Sequence, residues 1–320
     1  MGGGVLFRAG ARPQRPGGQG CRAGRESRPP IDVLSHPALA RLHPTFGHPE
    51  APERIEVLLA AFPDAREGRP AERAAVERVH VPEYLDLLSA LTEPTWLDYP
   101  NTIASQTSWE AALLAAGCAI EAAETGAFAL VRPPGHHAPP QEAMGFCLVN
   151  NVAVAARHMQ AEHGVGRIAI VDFDVHHGNG TQDVFTGDGT VLYASLHQTG
   201  IYPGTGAVGE GDDTTVNVPL PAGCGDAEWV HAFEQQVESA IARFRPELVL
   251  VSAGFDAHDE EDIYLVDTHV TADGFRELAR RCTRLAPRVA AVLEGGYNLA
   301  TLPDLIRAAL EGFNLETTAG

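Results

Sequence analysis

Lysine is missing from this sequence: all 23 basic residues are arginine, against 42 acidic residues. The arginines are also unevenly placed, because six of them lie in residues 1–30, where Glu26 is the single acidic residue. The remaining chain therefore carries 17 basic and 41 acidic residues. So negative a chain argues against direct binding to nucleic acid or to anionic membranes. It favours cationic partners, although solubility explains the charge equally well.

Long apolar runs are lacking as well. No run reaches the roughly 18 residues that a membrane-spanning helix requires, and the first residues contain no apolar segment of the secretory type. Residues 1–30 are rich in Arg, Gly and Pro, which predicts a disordered tail. Their low acid content weakly resembles an organelle transit peptide, but Gly and Pro fit poorly with its amphipathic helix. We expect a single domain over residues 31–320.

Paired cysteines are a third absence. The five cysteines are odd in number, and no two of them form a C-x-x-C motif. This usage is typical of a reducing compartment. We therefore predict a cytoplasmic protein without a membrane association.

Apolar runs with strand character alternate with helical patterns along the domain. The predicted strands are 128–132, 168–174, 190–195, 248–253 and 289–294. The predicted helices are 109–124, 151–163, 227–244, 272–285 and 302–313. Such alternation is typical of an α/β fold in which helices cover both faces of a parallel sheet. In these folds the ligand site lies outside the carboxyl ends of the strands, and each predicted strand ends in a polar or Gly-rich segment.

The segment after residues 168–171 carries the strongest functional signal. Asp172, Asp174 and His176 alternate there, so all three side chains can point to one side of an extended backbone. Two carboxylates and an imidazole are costly to bury without a cation or hydrogen-bond partners, and metals such as Zn²⁺ bind such sets. A catalytic zinc usually has three protein ligands. Asp174 and His176 supply two, and Asp256 is the best candidate for the third, although an Asp there can also cap a turn.

A histidine pair and a tyrosine are the candidate catalytic groups. His136 and His137 follow a Pro-Pro-Gly turn, and beside a metal one can act as general base while the other polarises the reacting group. Asp172 and Asn179 are candidates to fix their tautomers. Tyr297 lies in a Gly-Gly-Tyr-Asn turn, where its phenol can donate a hydrogen bond to an oxyanion. The alternative for each is structural: a histidine pair without catalytic function and a tyrosine that covers the core.

Seven ordered motifs together resemble the histone deacetylase superfamily. They are R-P-P-G-H-H-A (132–138), G-F-C-L-V-N-N (145–151), V-D-F-D-V-H-H-G-N-G-T (171–181), S-L-H (195–197), Y-P-G-T-G (202–206), G-F-D-A-H (254–258) and E-G-G-Y-N (294–298). The resemblance covers about residues 31–315 and is strongest to the bacterial and class II-like branch, with its acetoin-utilisation-type and acetylpolyamine amidohydrolases. It implies an arginase-like three-layer α/β/α fold with a mostly parallel sheet of about eight strands.

The resemblance also implies zinc-dependent hydrolysis of an N-acyl amide. The ligands of the single zinc ion would be Asp174, His176 and Asp256. His137 would be the general base and acid, with His136 as its electrostatic partner. Tyr297 would bind the carbonyl oxygen and stabilise the tetrahedral intermediate.

A substrate channel is implied by the same resemblance. The carbonyl of Gly145, with Phe146 and Tyr202, would line a channel for an acyl-lysine-like stem, and Leu265 would contact the substrate. Either aromatic residue alone would more often belong to an ordinary core. Asp98 resembles the rim aspartate that holds the substrate backbone.

Two further sites follow from the resemblance. Arg54 resembles the arginine that lines an internal acetate pocket, although a salt bridge at the start of a helix explains it equally well. A structural K⁺ or Na⁺ ion would lie near the zinc. Its ligands would be Asp172, Asp174, His176, Ser195 and Leu196, partly through backbone oxygens.

Two positions depart from the family pattern. Asn179 stands where some branches have Asp, and a neutral partner favours a neutral, base-competent His137. After Asp256 the family usually has a D-P-L-G-G-like loop, whereas this chain has an acidic loop at residues 258–267. The four consecutive acids at 259–262 would attract a cationic substrate, but a solvated acidic loop is the simpler explanation.

These inferences favour a zinc-dependent amidohydrolase that removes acetyl, or another short acyl group, from acetyl-lysine of proteins or from acetylated polyamines. The absence of a long insertion predicts an open pocket mouth, which mildly favours a peptide substrate. One alternative is a binuclear manganese ureohydrolase of the same fold, but only one complete ligand set is present. Another is an acyl-lysine-binding module without activity, which predicts the loss of a ligand, the histidine pair or the tyrosine, and none is missing.

Overall fold

An eight-stranded parallel sheet forms the centre of the computed structural model, which describes residues 1–3 and 30–315. The strands are β1 (Val33–Ser35), β2 (Arg66–Glu67), β3 (Thr95–Asp98), β4 (Thr102–Ala104), β5 (Phe128–Ala129), β6 (Ile168–Asp172), β7 (Val191–Gln198), β8 (Thr215–Leu220), β9 (Cys224–Gly225), β10 (Leu248–Ala253), β11 (Thr268–His269) and β12 (Arg288–Leu293). The order across the large sheet is β2-β1-β5-β12-β10-β6-β7-β8. The predicted tail lies almost wholly outside the described residues.

Eleven α-helices connect and cover the strands of the described part. They are α1 (Leu39–Leu42), α2 (Glu53–Ala61), α3 (Arg73–Val76), α4 (Pro82–Ser89), α5 (Ser108–Thr125), α6 (Asn151–His163), α7 (Asn179–Phe185), α8 (Asp226–Ala232), α9 (Ser239–Phe244), α10 (Ala272–Cys282) and α11 (Leu302–Asn314). A π-helical segment, Phe233–Glu238, joins α8 to α9. None of the helices described is long and apolar enough to cross a membrane.

Side chains of the central strands alternate between two hydrophobic layers. Ile168 and Ile170 of β6 pack into one layer with the buried faces of α5 and α6. Ala169 and Val171 pack into the other layer with α10 and α11. A strand covered on both faces needs apolar residues at every position, which explains the continuous run that predicted β6. The predicted arginase-like α/β/α fold is confirmed.

The structure differs from the predicted elements mainly at the sheet edges. β1, β2 and β8 were not predicted, and both residues of β2 are exposed, so this strand has no apolar pattern to reveal it. The predicted strand at 128–132 is reduced to Phe128–Ala129. The predicted helix at 227–244 is interrupted by its π-helical segment.

The centre of the sheet determines where the functional groups meet. β12, β10 and β6 are neighbours and all run in the same direction. Their carboxyl ends therefore lie side by side, and each leads directly into one of the polar motifs. The antiparallel hairpin β3–β4 stands apart from the large sheet.

Candidate active site and metal centre

Three predicted metal ligands surround one point at the ends of β6 and β10. Nδ1 of His176 lies 3.1 Å from Oδ1 of Asp174 and 3.0 Å from Oδ2 of Asp256. These ligand atoms all lie within 4.8 Å of one another. Asp174 and Asp256 are only 1% and 0% exposed. The fold thus joins two segments that are 80 residues apart in the sequence.

Main-chain groups hold the outer oxygens of both carboxylates. The N–H of Gly295 donates to Oδ2 of Asp174 at 2.8 Å, and the N–H of Val175 donates to Oδ1 of Asp256 at 3.0 Å. A Cβ atom at Gly254 would lie 2.1 Å from Oδ2 of Asp174, and one at Gly295 would lie 2.3 Å from Oδ2 of Asp256. Glycine at both positions lets the main chain approach the carboxylates closely.

The chemistry of this donor set fits a divalent metal ion. Burial, and then the charge of Asp174, raises the pKa of Asp256. An imidazole nitrogen that faces two carboxylate oxygens must carry a proton or meet a cation, because lone pairs would otherwise face one another. Two buried carboxylates so close together likewise require positive charge. One cation of the zinc type satisfies all three side chains of the cluster, Asp174, His176 and Asp256.

The histidine pair lies beside this cluster with both rings buried. The ring centroids of His136 and His137 are 4.0 Å apart. Nδ1 of His136 is 3.1 Å from Oδ2 of Asp172, whereas Nδ1 of His137 is 2.8 Å from Oδ1 of Asn179. Burial lowers the pKa of His136, but Asp174 and Asp172 outweigh it and raise the pKa to about 10. Burial, together with the charge of His136, holds the pKa of His137 well below its ordinary value, so this imidazole is neutral at neutral pH.

Glu294 supports the turn that carries the histidine pair, a role that was not predicted. One carboxylate oxygen accepts hydrogen bonds from the N–H groups of Gly135 at 2.7 Å and His136 at 3.1 Å. The other accepts from the hydroxyl of Ser252 at 3.2 Å. Burial raises the pKa of Glu294 to about 7. The available signal was a glutamate directly after the apolar run 289–293, where a charge needs buried partners.

Tyr297 lies on the loop that follows β12. Its ring packs against the ring of Phe146, with centroids 5.7 Å apart, and the guanidinium of Arg54 lies 4.9 Å from its centroid. Burial, and then the charge of Asp256, raises the pKa of the phenol well above its ordinary value. The hydroxyl is therefore neutral and able to donate a hydrogen bond.

Two of the predicted channel residues, Gly145 and Tyr202, lie against the ring of His137. The ring centroid of Tyr202 is 5.1 Å from that of His137. Phe146 adopts a left-handed backbone conformation with φ of 70°. Asp98, at the end of β3, accepts a long hydrogen bond of 3.4 Å from the N–H of Gly145. The hairpin β3–β4 thus brings Asp98 to the segment that precedes Phe146.

Arg54 takes part in a salt bridge near the start of α2, which is one of the two settings weighed for it. It forms a buried ion pair with Glu50, with 3.3 Å between Nη1 and Oε1. Its other nitrogens donate to the carbonyl oxygens of Glu294 at 2.5 Å and Gly296 at 2.7 Å. The Glu50 carboxylate also receives two hydrogen bonds of 2.8 Å from Arg132. This buried network connects the start of α2 with the loops that carry the histidine pair and Tyr297.

The residues predicted for a monovalent cation lie next to the metal cluster. Oδ1 of Asp172 accepts from the N–H of Asp174 at 3.1 Å, and its Oδ2 accepts from the hydroxyl of Tyr193 at 2.9 Å. Ser195 and Leu196 are fully buried in the adjacent strand β7. Asp172 and Ser195 are direct register partners across β6 and β7.

Leu265 lies on the loop that links β10 to β11. Its side chain is 58% exposed, and its backbone is left-handed with φ of 65°. Its carbonyl oxygen accepts a hydrogen bond of 3.0 Å from the side chain of Gln198. The structure therefore places Leu265 at the surface, anchored to the end of β7.

Comparison with known proteins places this geometry in a family. The family model described as "Histone deacetylase domain" matches residues 48–313. The chain belongs to the histone deacetylase family. The chloroplastic histone deacetylase 14 of Arabidopsis thaliana is 44% identical to this family member over 223 residues, which cover 63% of this chain and 52% of that protein. A probable deacetylase of Archaeoglobus fulgidus is 39% identical over 284 residues, covering 82% of this chain and 76% of that protein.

A solved structure is similar over nearly the whole family domain. The crystal structure of the HDA15 HD domain superposes with a TM-score of 0.83 at 34% identity, covering 91% of this chain and 90% of that chain. This histone deacetylase family member spans about half the length of the two chloroplastic relatives that it matches, from Arabidopsis thaliana and from Oryza sativa.

Proposed function

We propose that this protein is a zinc-dependent amidohydrolase that removes an acetyl or other short acyl group from an amine. The observation that carries the proposal is that three features occur together at the carboxyl ends of the central strands. They are the buried Asp174–His176–Asp256 cluster, a neutral His137 and the neutral phenol of Tyr297. Family membership supports the same reaction class.

The three side chains of the cluster would hold the metal. When bound, Zn²⁺ supplies a Lewis acid that polarises a carbonyl group and makes a water molecule more acidic. The predicted K⁺ or Na⁺ ion would lie next to the divalent metal, held by Asp172, Ser195 and their neighbours. Its function would be to neutralise part of the buried carboxylate charge.

The protein's own residues would manage the protons. His137 is neutral and fixed by Asn179, so its free nitrogen can accept a proton from the attacking water and return it to the leaving amine. His136 would act as the electrostatic partner of His137, with its Nδ1 hydrogen-bonded to Asp172. Tyr297 would donate its hydroxyl hydrogen to the substrate's carbonyl oxygen, which becomes an oxyanion during attack.

The substrate class follows from the channel and the charge of its surroundings. Phe146 and Tyr202 would flank an aliphatic stem, and Asp98 would hold the substrate near the mouth. The net charge of −19 favours a cationic substrate, such as a basic acetylated peptide or an acetylated polyamine. The four cysteines of the described part are buried and free, which supports a reducing compartment such as the cytoplasm.

The first test measures release of free amine from acetyl-lysine peptides, acetylspermidine and acetylputrescine. Metal-loaded protein should turn over at least one of them, and chelated protein should not. The ranking of the substrates then separates a protein deacetylase from a polyamine deacetylase. No turnover of any substrate by protein with confirmed bound metal would contradict the proposed reaction and favour an acyl-lysine-binding module.

Two variants test the assigned roles. Tyr297→Phe should lower kcat by roughly 100-fold or more, because it removes one donor to the oxyanion. His137→Ala should also lower kcat, by roughly 100-fold or more, because it removes the general base. The matched control is His163→Ala, which alters a half-exposed histidine at the end of α6 and should leave turnover unchanged. Unchanged turnover by Tyr297→Phe would remove the phenol from the mechanism.

A further inference from the structure

The acidic loop after β10 reaches back to the loop that carries Tyr297. Glu261 is one of its four consecutive acids. Its two carboxylate oxygens accept hydrogen bonds from the N–H of Tyr297 at 2.9 and 3.2 Å and from the N–H of Asn298 at 3.1 and 3.2 Å. The side chain of Asn298 donates to the carbonyl oxygen of Glu260 at 2.9 Å. One carboxylate thus binds two consecutive N–H groups, at and after the tyrosine.

The start of the acidic loop, from His258 to Glu261, is held close to the metal cluster. The N–H of Glu261 donates to the carbonyl oxygen of His258 at 3.1 Å, and the ring of His258 is hydrogen-bonded to the carbonyl oxygen of Val270 at 2.8 Å. His258 itself follows Asp256 by two residues. The N–H of Phe255 also donates to the carbonyl oxygen of Gly295 at 3.1 Å. The Tyr297 loop is therefore connected to the same segment that supplies Asp256.

The loop that carries Tyr297 needs these hydrogen bonds, because its own backbone can adopt many conformations. Two glycines precede the tyrosine, and Gly296 has a φ of +112°, which side-chain-bearing residues rarely adopt. Hydrogen bonds to a carboxylate are stronger than those between neutral groups. Glu261 is also only partly exposed. Burial raises the pKa of its carboxyl group to about 7, whereas the hydrogen bonds from the N–H groups of Asn298 and Tyr297 act in the opposite direction and favour the carboxylate.

We propose that Glu261 is a positioning residue that fixes the backbone of Tyr297, and through it the distance from the phenol to the substrate's carbonyl oxygen. This inference rests on the proposed function, since it assigns the phenol to the oxyanion. The acids at 259–262 then serve two different purposes. Glu261 turns inward to the tyrosine loop, whereas Asp262 is exposed on the same loop.

The experiment compares kcat and KM for Glu261→Ala, Glu261→Gln and the control Asp262→Ala. Glu261→Ala should lower kcat by roughly 10- to 100-fold, because a misplacement of about 1 Å at a reacting group has effects of this size. KM should change less than threefold. Glu261→Gln retains one carbonyl oxygen as acceptor and should recover part of the loss. Asp262→Ala should keep the kcat of the wild type.

A double variant shows whether the effect passes through the phenol. In a Tyr297→Phe background, Glu261→Ala should lower kcat by less than threefold, because the group that it positions is already absent. An equal loss in both backgrounds would overturn the proposal, as would an unchanged kcat in Glu261→Ala. Equal metal content and melting temperature in all variants would exclude misfolding as the cause, and if Glu261→Ala does not fold, Glu261→Gln carries the same test.

Hydrogen exchange separates this proposal from the proposed function. The amides of Tyr297 and Asn298 should exchange faster in Glu261→Ala than in the wild type, because their acceptor is removed. This measurement needs no substrate. If the wild type is inactive, the proposed function fails while the exchange result still reports on the hydrogen bonds. Unchanged exchange at both amides would overturn the positioning role even in an active enzyme.

Discussion

Glu50→Gln should strongly destabilise the fold. Glu50 is 0% exposed, and its carboxylate lies between two fully buried guanidinium groups, those of Arg54 and Arg132. The side chain of His43 is also buried, with Nε2 3.7 Å from Oε2 of Glu50. Glutamine has the same shape but no charge, and its amide would place an N–H group opposite the donors of Arg132. Two buried positive charges would then lack their counter-ion.

Two independent lines of reasoning give the expected loss in the free energy of unfolding. Burial raises the pKa of Glu50, but Arg132 more than offsets this, and the pKa is lowered from 4.5 to about 2. Each unit corresponds to about 1.4 kcal/mol, so the ionised form stabilises the fold by about 3 kcal/mol. Removal of one partner from a buried ion pair destabilises proteins by about 3 to 5 kcal/mol. We therefore expect the free energy of unfolding to fall by about 3 to 5 kcal/mol.

The pH dependence has a defined sign. Because the pKa of Glu50 is lower in the folded state than in the unfolded state, its contribution is fully present above pH 4.5. It is lost progressively as the pH falls towards 2. The difference in stability between wild type and Glu50→Gln should therefore be constant at neutral pH and shrink in acid.

Urea unfolding, followed by tryptophan fluorescence and by far-ultraviolet circular dichroism, measures this difference. Coincident transitions from the two probes are needed before a free energy is calculated. The control is Glu53→Gln, which changes an exposed glutamate in the first turn of α2 and should stay within about 0.5 kcal/mol of the wild type. If Glu50→Gln were also within about 1 kcal/mol of the wild type, the buried network would not contribute this stability to the fold.

Two further predictions concern the metal. Gly254→Ala should reduce bound zinc below half of the wild-type stoichiometry, because its Cβ would lie 2.1 Å from Oδ2 of Asp174. The control Gly189→Ala, with open space around its Cβ, should bind as much zinc as the wild type. Equal metal content of Gly254→Ala and wild type by elemental analysis would contradict this prediction. Chelation of the metal should lower the melting temperature of the wild type, and added zinc should restore it. The reason is that a ligand at about 1,000 times its Kd stabilises the folded state by about 4 kcal/mol. A melting temperature that does not respond to the chelator would refute a tightly bound metal.

Much of the fold and part of the site were predictable from local patterns. A strand buried on both faces needs a nearly continuous apolar run, and both β6 and β10 begin with four consecutive apolar residues. The polar residues that follow such strands stand out against it, which is why Asp174, His176 and Asp256 were recognised as candidates. β2, at the edge of the sheet, and its neighbour β1 gave no comparable signal, because strands of two or three residues are too short to show a continuous apolar run.

Only the tertiary structure decided which of these groups meet. The sequence order separates Asp174 from Asp256, and the adjacency of β6 and β10 in the parallel sheet brings them together. Glu50, Glu261 and Glu294 were overlooked as supports, since a glutamate in a sequence normally indicates an exposed side chain. Glu261 and Glu294 bind main-chain N–H groups, which every residue except proline carries and no residue pattern reveals. The sequence by itself therefore determined the chemistry of the site, and the fold determined its geometry.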